Sequence, residues 1–135
     1  MAGLGWRVQV KYLLDTNVVI LALTATGGVL KARMEACDED DMVTSSIVFA
    51  EVAHGSVHGN PPPFERLEQF AQGVPVLDFD YNAARAYAAL PFRRASYDRL
   101  IAAHALSRGL TLVTNNVAHF ADVPGLKVEN WTLPL

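Results

Sequence analysis

Short apolar, β-rich runs alternate along this chain with segments of helical spacing, and that alternation limits the fold more than any other property. The runs are Val10–Leu14, Met42–Thr44, Val74–Leu77, Leu110–Val113 and Leu126–Val128. Helices are predicted over Asn17–Leu23, Val29–Cys37, Ile47 to about His58, 64–72, Tyr81–Leu90 and Tyr97–Arg108. In the fourth of these, Phe64, Leu67, Phe70 and Ala71 carry the helical period. Breaks fall where the chemistry demands them: Gly27-Gly28, the acidic DEDD loop at 38–41, Asn60-Pro61-Pro62-Pro63, Pro91 and Gly109. Ser45, Ser46 and Ser96 supply N-caps. A strand that feeds a helix and then another strand returns parallel to itself, and wholly apolar strands are buried on both faces. The expectation is therefore an α/β domain with a parallel sheet flanked by helices. In such sheets ligands bind beyond the carboxyl ends of the strands, which says where to look for chemistry.

The chain of 135 residues is the size of one domain, and no repeat or linker divides it. Its 51% hydrophobic content can fill one core. Residues 1–9 read as a loose extension before the first strand, with Val10 as an alternative translation start that intact-mass measurement would test. The N-terminus is too short and too weakly apolar for a signal peptide, and no apolar run reaches the ~18 residues of a membrane span. A single cysteine, Cys37, excludes an intramolecular disulfide and fits a reducing, cytoplasmic setting. Net charge is −3, which excludes a strongly basic nucleic-acid binder. The charge is uneven, however. Lys31–Asp41 carries two bases and five acids, whereas Asp80–Leu110 carries five arginines and two aspartates. A basic strip can bind a polyanion locally, although solvated helix faces produce the same pattern.

Three acids stand out by position. Asp15 directly follows Tyr12-Leu13-Leu14 and so sits at the carboxyl end of the first strand; a helix N-cap is the plain alternative. Thr16 and Asn17 follow, able to hydrogen-bond a carboxylate or a ligand. Glu51 lies among Ile47, Val48, Phe49, Ala50, Val52 and Ala53 and needs a partner if it is not on a wet face. Asp98 opens the helix Tyr97–Arg108 and shares a face with Ile101, Ala102 and Ala105; a dipole-stabilising aspartate is the alternative. Thr114-Asn115-Asn116 leaves the fourth strand. Together these place three carboxylates and an amide on one sheet edge. Such crowding calls for a cation, and hard oxygen donors suit Mg²⁺ or Mn²⁺. A bound divalent ion activates water for in-line attack on a phosphodiester.

The segments YLLDTNVVI (12–20), SSIVFAEVAHG (45–55), YDRLIAAHALSRGLTLVTNN (97–116) and HFADVPGLKVENW (119–131) resemble the PIN-domain ribonucleases that serve as VapC-type toxins. The likeness runs from about Lys11 to Trp131. It implies a single PIN-like domain with a Rossmann-like five-stranded sheet in order 3-2-1-4-5. It further implies a metal-dependent endoribonuclease acting on single-stranded or structured RNA, a homodimer, and a VapB-type antitoxin through which alone DNA would be contacted. Carried over by motif, the catalytic set is Asp15, Glu51, Asp98 and Asn116, with Asp15, Glu51 and Asp98 as metal ligands. Thr16, Asn17 and Thr114 support them. Asn116 stands where many members have a fourth acid, so one firm metal site is expected. The connector 91–97 is shorter than in many members. Arg93, Arg94 and Arg99 flank Asp98 and are the candidates for gripping phosphates, against the alternative of arginines paired within the fold. The helices at 17–23 and 29–37 are the candidate groove for a partner helix, and a partner cation would match the acidic pocket.

The histidines are read as structural: His54 and His58 at a fraying helix end, His104 far round its helix from Asp98, and His119 in a turn. Two rival functions share these features. A haloacid-dehalogenase-like phosphatase needs an acid where Asn17 stands. A PIN fold with an idle site would bind without cutting.

Overall fold

The computed structural model describes residues 11–134; the proposed extension 1–9 and the strand start at Val10 lie outside the described residues. Its elements in chain order are β1 (Tyr12–Leu14), α1 (Thr16–Thr24), α2 (Val29–Glu35), β2 (Met42–Ser45), α3 (Ser46–Val57), α4 (Phe64–Gly73), β3 (Val76–Leu77), α5 (Tyr81–Ala88), α6 (Tyr97–Arg108), β4 (Thr111–Val113) and β5 (Val128–Glu129). The five strands form one parallel sheet in the order β3-β2-β1-β4-β5. That is the order expected. The chain grows outward from β1 to β3, then crosses back to lay β4 on the other side of β1. The reversal makes a crevice beyond the carboxyl ends of β1 and β4.

The strands are short but apolar, and Leu13, Leu14, Leu112 and Val113 are wholly buried. In α6 the run Ile101–Ala105 is buried on consecutive positions, so this helix lies inside the domain rather than on it. Its three alanines in that run let α5 and β4 approach closely. Gly109 stops the helix in the left-handed conformation (φ 66°), which spares the steric cost of a Cβ.

Boundaries moved where backbone hydrogen bonds decide them. The second helix ends at Glu35, short of Cys37, because Ala36 and Cys37 close a turn onto Ala32 and Met34. The acidic stretch expected as a loop winds into a 3-10 turn at Glu39–Asp41. The third strand starts at Val76, since Pro75 has no N–H to give the ladder, although its carbonyl accepts from Thr44 N at 2.9 Å. The fifth strand shifts to Val128–Glu129 because Leu126 N is used in a turn onto Val123 O. Among the described residues no single helix is long and apolar enough to cross a bilayer.

Candidate active site

The crevice is built outward from Asp15. Its N–H bonds to Val113 O at 3.0 Å, tying the end of β1 to the end of β4. Its side chain then turns back to cap α1, accepting from Val18 N at 3.1 Å. Asp15 is therefore an N-cap as well as a candidate ligand. Only 5% of it is exposed. Burial pushes its carboxyl above the ordinary carboxylate range. Hydrogen bonds from the Thr114 hydroxyl and the Val18 amide pull the other way, and the charges of Asp98 and Glu51 add to the upward push. Asp15 thus feels both of the other acids, although they lie 36 and 83 positions away in the chain.

Glu51 projects from α3, which starts at the carboxyl end of β2 with Ser45 as its cap: Ser45 Oγ accepts from Ile47 N at 3.0 Å. The partner Glu51 required is Thr16, whose hydroxyl donates to Glu51 Oε1 at 2.6 Å. That bond joins the first turn of α1 to α3 across the crevice. Asp98, in the first turn of α6, is partly exposed at the site's rim. Thr114 is fully buried, and its Oγ1 accepts from Asn116 N at 3.0 Å, which fixes the turn leaving β4. Asn116 then lies beside the rim acid. Its Nδ2 is 3.0 Å from His119 Nδ1, and the same His119 nitrogen is 3.3 Å from Asp98 Oδ2. Asn17 is exposed in the first turn of α1.

The acids face one crevice without closing on one point. Among the described residues no three His, Cys, Asp or Glu side chains form a cage around a single ion. Asp15, Glu51 and Asp98, expected to share one ion partly through water, line an open edge. The donor set still fits a small hard cation. It consists of carboxylate oxygens, one of them buried, and no lysine or arginine among the described residues forms an ion pair with Asp15 or Glu51. Mg²⁺ is commonly held through one or two carboxylates with the remaining positions filled by water.

The arginines divide. Arg94 is exposed in the connector before α6. Arg93 is largely exposed and pairs with Asp122 at 3.1 Å. Arg99 does not suit phosphate binding, contrary to expectation. It is buried, with Nη1 on Asp122 Oδ2 at 3.3 Å and Nη2 donating to Pro91 O at 2.7 Å. The rotation of about 100° between adjacent helix positions turns it away from Asp98 and makes it a strut between the connector and the loop after β4. His104 is a core residue, its Nδ1 2.8 Å from Ser45 Oγ, and burial lowers its pKa. His58 Nδ1 lies 2.8 Å from His54 O at the end of α3, where His54 and His58 are both exposed. Two residues escaped the sequence reading. His119 reaches Asp98 across 21 positions, which no local pattern reveals. Phe92 is fully exposed between Pro91 and Arg93, and its apolar character alone argued for burial.

A PIN-domain family model matches residues 12–126. The chain belongs to the PIN-domain family. Within that family it is similar to the VapC ribonucleases. The tRNA(fMet)-specific endonuclease VapC of Shigella flexneri is 34% identical over 135 residues, covering 92% of this chain and 100% of the relative. Ribonuclease VapC2 of Rickettsia felis is 29% identical over 130 residues, covering 89% of this chain and 97% of its own length. Among solved structures, DNA-bound VapBC from Salmonella typhimurium superposes with a TM-score of 0.79 at 32% identity, over 91% of this chain and 99% of the matched chain. VapBC2 from Rickettsia felis, bound to a DNA fragment from its promoter, gives 0.79 at 28% identity over 89% and 98%.

Proposed function

We propose that this PIN domain is a divalent-metal-dependent endoribonuclease, the toxin of a type II toxin–antitoxin pair acting in the cytoplasm. The observation that carries this reading is the buried, cation-free Asp15 carboxylate at the sheet's switch point, with Glu51 and Asp98 close enough to disfavour its charge. Asp15 and Asp98 would hold Mg²⁺ or Mn²⁺, with Glu51 acting directly or through water. When bound, the ion supplies Lewis-acid stabilisation of the phosphate and an activated water. Thr16 keeps Glu51 aimed into the crevice, and Thr114 shapes the turn that presents Asn116. Arg94 and the exposed edge of Arg93 attract the RNA backbone, while Phe92 offers a face on which an unpaired base can stack. The relatives named for tRNA(fMet) make a transfer RNA the first substrate to try.

The antitoxin completes the reading. A groove of about 520 Å³ runs between α2, α4 and the end of α1, floored by Ala22, Met34, Met42, Phe70 and Val74. Lys31, Glu35 and Glu39 supply charge around it. An amphipathic helix of a VapB-type antitoxin fits this chemistry. The homodimer implied by the family likeness belongs to the same proposal, and light scattering tests it. The deciding experiment sequences RNA 5′ ends after brief induction of wild type and Asp15→Asn. New 5′ ends present only with the wild type support the nuclease; identical profiles overturn it.

A further inference from the structure

Three polar groups meet at the rim, and no tautomer or amide orientation gives each of the two short contacts its own hydrogen bond. His119 Nδ1 is 3.3 Å from Asp98 Oδ2 and 3.0 Å from Asn116 Nδ2. A ring nitrogen has either one hydrogen or one lone pair. Donating to the carboxylate leaves it nothing with which to accept the amide hydrogen, and accepting from the amide sets its lone pair against the carboxylate. Turning the Asn116 amide over presents Oδ1 instead, and one N–H must then serve two oxygens. A cation removes the conflict, since carboxylate oxygen, amide oxygen and ring nitrogen all offer lone pairs. The spacing agrees as well. Donors about 2.1 Å from a small octahedral ion stand about 3 Å from their neighbours, close to the separations seen here.

The backbone holds this geometry. His119 lies in a 3-10 turn, Val117–Phe120, whose Phe120 is buried at 3% exposure, and His119 N bonds to Asn116 O at 3.1 Å. The two side chains are therefore carried on one short, anchored unit.

We infer that His119 is a nitrogen donor to the divalent cation at Asp98, giving the site a preference for first-row transition ions such as Mn²⁺ over Mg²⁺. The inference rests on the metal-dependent reading above. An imidazole adds affinity for transition ions and little for Mg²⁺, which favours oxygen and dehydrates reluctantly. It adds a neutral donor beside Asn116 without supplying the charge that a carboxylate there would bring. The test loads the full chain with Mn²⁺ and records pulsed EPR, which detects a coordinated imidazole nitrogen directly. Wild type shows nitrogen modulation. His119→Ala loses it, and Mn²⁺ affinity by calorimetry falls at least about tenfold while Mg²⁺ affinity changes less than about twofold. Wild type that binds Mn²⁺ in an Asp15-dependent manner but without nitrogen modulation overturns this inference and leaves the nuclease reading intact. The same holds if the modulation survives in His119→Ala. No Mn²⁺ binding at all overturns both.

Discussion

Asp15→Asn should stabilise the metal-free protein while abolishing its activity. Asparagine caps a helix about as well as aspartate, so the bond with Val18 N survives and capping changes by only a few tenths of a kcal/mol. What is lost is a charge that burial and two neighbouring carboxylates disfavour. Because folding raises this pKa, the folded state holds the Asp15 proton more tightly than the unfolded chain does. The stability contributed by Asp15 is full below the ordinary carboxylate range and is lost as pH rises through the raised folded value. Above that value asparagine does not suffer the loss. Single stabilising substitutions commonly yield about 0.5–2 kcal/mol. About 1 kcal/mol for a domain of this size raises Tm by about 3–5 °C. The assay is thermal and urea unfolding in EDTA at pH 7 and again near pH 3, where the two proteins should converge. Adding Mn²⁺ should raise the wild-type Tm and leave the variant unmoved. A variant less stable than wild type in EDTA at pH 7 would refute the claim that Asp15 sits as an uncompensated charge.

His104 works in the opposite sense. Its pKa is lowered by burial, so its contribution is present above the ordinary imidazole value and is lost as pH falls through the folded one. Wild-type stability should drop by up to about 1.4 kcal/mol per pH unit in that window, and His104→Gln should flatten the slope in urea titrations. Arg99→Ala should cost about 1–2 kcal/mol by leaving Pro91 O without its donor and Asp122 with only Arg93, read as a lower urea midpoint. Arg94→Ala should change stability by less than about 0.5 kcal/mol, yet reduce the salt slope of RNA binding by about one. Thr16→Val should cost about 1 kcal/mol and slow RNA cleavage, because Glu51 loses the hydroxyl that orients it; an unchanged turnover number would remove Thr16 from the positioning set.

Period and punctuation were enough to read the layer architecture. Apolar runs such as Leu13-Leu14 and Leu112-Val113 specify buried strands, and Ser45, Ser96 and Gly109 mark helix ends by local chemistry that needs no tertiary contact. The positions of Asp15 at a strand's end, Asp98 in a helix's first turn and Glu51 just over a turn into its helix were legible for the same reason, because such placements are local facts. The strand order was legible only through family likeness, since alternation specifies parallel strands and not their neighbours.

Tertiary structure decided what those side chains touch. Arg93, Arg94 and Arg99 look alike in sequence, yet helix phase buries Arg99 against Asp122 while the connector leaves Arg94 in water. His104 and His119 both read as bystanders. One became a core bond to Ser45, and the other reached the rim acid from a different loop. Local propensity acts over a few residues and is written in the chain. Contacts such as Thr16–Glu51, spanning 35 positions, arise only once the sheet brings distant strand ends together, and the chemistry of the crevice is made of such contacts.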